Sequence, residues 1–169
     1  MSPHPLVTQL RFARSELMRC IEGVSDEDAL KRPLPMNCIS WIVGHLANQE
    51  NRFWVIRAQG INVAHELHAL VGSGQPASTP PLTKMLATWH LATTTADVYL
   101  DTMTTSLLQS HFMVEGKLFP ESVGTMLLRN LYHYWFHTGE AHAIRQMLGH
   151  TGLPDFVGNM ATAIYAPES

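Results

Sequence analysis

Two histidines stand one helical turn apart in the segment Leu131-Tyr-His-Tyr-Trp-Phe-His-Thr-Gly-Glu140: His133 and His137. A third, His45, lies far upstream in Trp41-Ile-Val-Gly-His-Leu-Ala47. Side chains four residues apart project from one face of an α-helix. Neutral imidazole is the commonest metal-binding side chain. Two ligands from one helix and one from another would leave a coordination position open, as a catalytic metal requires. The residue types and their spacing therefore point to a metal site.

The helix that carries the pair has a seam in steps of four and three: Met126, Asn130, His133, His137, Glu140, Ile144 and Met147. Such spacing holds a narrow stripe toward a bundle interior. The expected stripe is apolar at its ends and polar in its middle. At ~100° per residue, His137 falls roughly 40° from His133 and Glu140 about 20° to the other side, so the three share a face. His142 falls about 180° away and should point elsewhere. His45 sits in an apolar stretch, and a buried imidazole there needs a partner. If its helix faces the other, His45 meets the pair, as ligands do in bundle-core metal sites. Glu140 is a candidate fourth ligand, supporting group or general base; an ion pair with Arg129 or Arg145 is the bland alternative. His90, His111 and His150 read as surface or boundary residues. His65 and His68 lie in a loop, with only their i,i+3 spacing to suggest a site.

Four long helices are expected to position these groups. The first spans about Leu6–Ile21, with Leu6, Leu10, Ala13, Leu17 and Ile21 at helical spacing and Gly23 as a stop. Ser25 and Asp28 start a short turn as a capping box, and Arg32-Pro-Leu-Pro35 breaks it. The second begins near Asn37, a good N-cap, and runs to about Ala58. The stretch from Gly60 to Pro81 reads as a long crossover, with a turn of helix around Ala64–Leu70. The third spans about Leu82–Leu108. The fourth starts near Pro120, since proline suits a first turn, and ends at Gly149. The tail is irregular, with Phe156, Val157 and Tyr165 packing on the bundle. No strand pattern and no internal repeat stand out. The expected fold is a single all-α domain over residues 1–169, a four-helix bundle with a long crossover between helices two and three.

Composition narrows the class. The chain has 169 residues and a net charge of −3, with no lysine or arginine stripe for nucleic acid. No apolar run approaches the ~18–20 residues of a membrane span. The start, Met-Ser-Pro-His-Pro, lacks the pattern of a signal peptide. Two cysteines, Cys20 and Cys38, make no disulfide framework, and a reduced cytoplasm is the simplest setting. Cys38 reads as a small core residue near a helix start.

Together the motifs resemble the DinB-like (DinB/YfiT) family of metal-binding helical bundles. They are Gly23-Val-Ser-Asp-Glu-Asp28, Arg32-Pro33, Ile39-Ser-Trp-Ile-Val-Gly-His-Leu-Ala47, His133-x-x-x-His137-Thr-Gly-Glu140 and Ile144-Arg-Gln-Met-Leu-Gly149. Leu153-Pro-Asp-Phe-Val-Gly158 and Tyr165-Ala-Pro-Glu168 add to the resemblance. It implies a metal held by His45, His133 and His137, with zinc or nickel the usual occupant, and homodimers. Relatives in that family include thiol-dependent S-transferases and a thiol-dependent isomerase. Glu140 departs from the glutamine often found there.

Two functions follow. One is a metal-dependent enzyme that activates a low-molecular-weight thiol or a water, giving S-transfer or hydrolysis, with Glu140 moving a proton. The other is a non-catalytic, metal-binding dimer of a stress response. A reachable site beside a pocket favours the first; a site closed by Glu140 favours the second. Charged residues make up only 15% of the chain, and the apolar face of the last helix is too wide for one stripe. A two-fold dimer is therefore expected by sedimentation at micromolar concentration; a monomer contradicts it.

Overall fold

The computed structural model describes residues 3–166. Met1 and Ser2 of the amino-terminal segment, and Pro167 and Glu168 of the last motif, lie outside them. Helix α1 spans Pro5–Ile21, with proline at its first position and the His4 side chain accepting a hydrogen bond from the Leu6 amide. Its buried stripe includes Leu10, Ala13 and Leu17. Helix α2, Asp26–Leu30, is capped by the Ser25 hydroxyl, which accepts from the Asp28 amide at 3.0 Å.

The second long helix starts later than expected. Helix α3 spans Ile39–Glu50 and has Cys38, not Asn37, at its N-cap. Cys38 is fully buried, so core packing overrides the better capping residue. Beyond Glu50 the helix widens into a π-helical segment over Asn51–Arg57. Gly60, at φ +72°, turns the chain out of it. The crossover carries one short helix, α4, at Leu67–Val71.

Helix α5 spans Leu82–Leu100, so the expected helix to Leu108 is broken. Thr104 accepts from the Leu107 amide at 3.1 Å and starts a separate helix, α6, at Thr105–Gln109. A threonine that caps locally competes with helix continuation. The all-helical expectation also missed a hairpin: β1, His111–Val114, pairs antiparallel with β2, Lys117–Ser122. Glu115 and Gly116 join them with φ of 51° and 76°, the positive pair that a tight hairpin turn needs. Pro120 lies in β2 and starts no helix. Helix α7 spans Val123–Met147, capped by the Ser122 hydroxyl.

Helices α1, α3, α5 and α7 form the bundle, with the crossover between α3 and α5. Helix α1 lies on α7, and α3 contacts both α5 and α7. The α3–α5 approach is close: a Cβ on Gly44 would stand 2.3 Å from the Met85 sulfur. Across the interior, Arg14 forks onto Glu50 with two contacts of 2.8 Å. Arg14 also reaches Asp97 at 2.7 Å, which ties α1 to α5 as well as to α3. The Trp89 indole donates to the Tyr134 hydroxyl at 2.8 Å and joins α5 to α7. The outer face of α7 is exposed at Tyr132 and Phe136. Met147, expected inside the seam, is 61% exposed because the bundle has ended by that turn. Among the described residues, no helix is long and apolar enough to cross a membrane.

Glu50 is fully buried, and deleting it leaves the buried Arg14 guanidinium with only the half-buried Asp97. Glu50→Ala should cost about 3–5 kcal/mol. Urea unfolding checks this, and a loss under 1 kcal/mol contradicts it.

Candidate metal centre

Each of the three histidines is placed by a different local constraint. His45 lies mid-way along α3, stacked on Trp41 one turn earlier, with ring centroids 4.4 Å apart and planes at 12°. His133 and His137 lie one turn apart on α7. The edge of Phe136 meets His137 at 5.0 Å between centroids. Because α3 packs on α7, all three converge. One ring nitrogen from each lies within 4.8 Å of the others, and the His133 and His137 Nε2 atoms are 2.9 Å apart.

Behind the rings, every Nδ1 meets an oxygen. His45 Nδ1 is 2.8 Å from the Val71 carbonyl at the end of α4. His133 Nδ1 is 2.9 Å from Gln49 Oε1. His137 Nδ1 is 2.5 Å from Glu140 Oε2. A carbonyl and an amide oxygen accept, as does an ionised carboxylate, so with Glu140 ionised each Nδ1 carries the proton and each Nε2 keeps its lone pair. Two bare nitrogens facing each other at 2.9 Å repel unless a cation lies between them. The donor set fits a divalent metal: neutral imidazoles, each oriented by a hydrogen bond on its other nitrogen.

The electrostatics keep the rings neutral. Burial, reinforced by His133 and His45, holds His137 down at about 2. Burial, with His45 and Arg129, holds His133 at about 4. Burial lowers His45 as well, against the pull of the Val71 carbonyl. Burial pushes the Glu140 carboxyl above the usual carboxylate range.

The sequence-derived site residues divide accordingly. His45, His133 and His137 come together. Glu140 stands on the far nitrogen of His137, outside the converging set, and pairs with neither candidate arginine. Arg129 bonds Glu121 instead, and Arg145 bonds the Cys20 carbonyl and His150. His142 points away, its ring edge-on to Phe156 at 5.5 Å. His150 is a boundary residue, held between Arg145 and Asp28. The crossover histidines His65 and His68 are exposed and, among the described residues, join no cluster of metal-ligating groups. Gln49 and Val71 were missed as supports. Gln49 follows His45 by one turn, a signal that was legible; the Val71 carbonyl carries no side-chain signal.

A family model for mycothiol-S-transferases matches residues 5–149. The chain belongs to that family. It is a DinB/YfiT-like family, so the resemblance carried by the histidine motifs holds. The match covers both histidine-bearing helices and stops before the late motifs from Leu153 onward. No curated protein matches the chain. Family membership suggests thiol S-transfer, and the three-histidine group is of a kind that could hold a metal ion.

His137→Ala should abolish bound metal and leave the helical signal intact, while His142→Ala should leave both unchanged. Metal per chain and circular dichroism check this; the reverse pattern contradicts it. The metal-free protein should also respond to acid. All three imidazoles bind protons less readily folded than unfolded, so below about pH 6.5 the unfolded chain takes up more protons and stability falls. Relative to metal-free His137→Ala, metal-free wild type should lose stability as the pH drops from about 6.5 toward 4. An unchanged difference across that range contradicts the burial argument.

Proposed function

We propose that this protein is a metal-dependent thiol S-transferase, with His45, His133 and His137 holding one divalent ion, zinc or nickel. The observation that carries this reading is the shared orientation of the rings: one nitrogen of each lies within 4.8 Å of the others while every Nδ1 meets a protein acceptor. Three protein ligands leave a coordination position for substrate. An ion bound there would lower the pKa of a coordinated thiol or water. The family match supports mycothiol, or a low-molecular-weight thiol like it, as the thiol.

The chain's own residues account for the rest. Trp41 stacks on His45, and Phe136 packs against His137. Glu140 orients His137 by accepting from its Nδ1, and so steadies the ring that would hold the ion. A cavity of about 600 Å³ adjoins His133, lined by Gln49, Leu128, Arg129, Tyr132 and Phe136. It is large enough for a small electrophilic acceptor. This opening, and the position of Glu140 behind His137 rather than in the converging set, favours an enzyme over a closed structural site. The exposed Tyr132 and Phe136 are also where a second copy would pack in a homodimer. Both cysteines are free, which suits a reduced cytoplasm.

Zinc-loaded protein is expected to speed conjugation of mycothiol to a fluorogenic electrophile. His133→Ala should reduce that rate to background, and Glu140→Ala should lower it about 10–100-fold. If water supports turnover of ester substrates and no thiol is consumed, the reading is wrong and the site is hydrolytic.

A further inference from the structure

Directly behind His133, a line of side chains runs from the site into the core: His133, Gln49, Asn130 and Trp54. We propose that Trp54 and Asn130, acting through Gln49, fix which nitrogen of His133 carries its proton. The proposal rests on the three-histidine reading above, since its consequence is a free Nε2 on a ligand.

An indole N–H can only donate. Trp54 Nε1 lies 2.7 Å from the Asn130 side chain, so Asn130 must present its oxygen there. The other end of that amide, Nδ2, then donates to Gln49 at 2.7 Å. Gln49 must answer with Oε1, because turning its amide round would set donor against donor. The same Oε1 is the atom that His133 Nδ1 meets at 2.9 Å. Facing an acceptor, Nδ1 is the protonated nitrogen. Trp54 is fully buried and Asn130 likewise, so water cannot substitute for either partner.

The backbone is shaped for this alignment. His45 and Gln49 are four residues apart and share a face of α3. Trp54 is five residues beyond Gln49, which on a continuous α-helix would rotate it roughly 140° off that line. The π-helical segment over Asn51–Arg57 widens the turn. A π-helix bonds i to i+5, and its wider turn lessens that rotation. The widened turn thus brings the indole under Asn130. Trp54 and Asn130 touch no ligand position, so they are positioning residues.

The test reads the tautomer directly, on the full-length metal-free chain, by long-range nitrogen–proton correlation of the histidine rings. Wild-type His133 should be protonated at Nδ1. In Asn130→Leu the constraint is gone; Nε2–H should appear, and zinc affinity, measured by chelator competition, should fall about 10–100-fold. Adding Gln49→Glu to Asn130→Leu should restore both, because a carboxylate can only accept. Trp54→Phe removes the starting donor and should shift the tautomer in the same direction, which covers a failure of Asn130→Leu to fold. A His133 that stays wholly Nδ1-protonated in both variants overturns the proposal. So does a double variant that regains no Nδ1–H. If wild type binds no zinc at all, the metal reading fails on its own, and the ring spectra still decide the relay.

Discussion

The structure turns on one constraint: an imidazole can offer a lone pair to a metal only if its other nitrogen holds the proton. Three histidines from two helices meet that condition together here, because three different acceptors stand behind them. The crossover supplies a backbone carbonyl to His45, α3 supplies an amide oxygen to His133, and α7 supplies a carboxylate to His137. Helix packing sets the convergence, and the hydrogen bonds set the chemistry. Burial acts in the same direction by disfavouring the charged rings.

That arrangement demands a rigid frame. The Arg14–Glu50 fork sits one residue past Gln49, and Tyr134 sits beside His133, hydrogen-bonded to Trp89. The polar groups that lock the bundle are therefore sequence neighbours of the groups that present the histidines. A shift of α3 against α7 would break the lock and the site at once. Gly44, pressed against Met85, sets how near α3 can come to α5, and so where His45 stands. The family match extends across these helices, and a cavity opens beside His133.

Much of this was legible in the chain. The i,i+4 pair His133 and His137 and the helical wheel that excluded His142 needed only the period of an α-helix. Caps at Ser25 and the long crossover followed from local residue chemistry. Other features required tertiary information. The hairpin hid in a short segment whose Glu115-Gly116 turn lacks the usual asparagine or aspartate, and Pro120 mimicked a helix start. Thr104 ended α5 by capping its successor, a choice that helix spacing does not reveal. The π-helical widening broke the four-residue pattern at Trp54, so the contact with Asn130 has no periodic signature. Met147 continued the seam in sequence, but the bundle stops short of it in space.

The most direct measurement is X-ray absorption at the metal edge of zinc-loaded protein. The account predicts three imidazole nitrogens at ~2.0–2.1 Å with a further light ligand that is replaced by sulfur when a thiol is added. A first shell with fewer than three imidazoles, or one that includes a protein carboxylate and admits no sulfur, would contradict it.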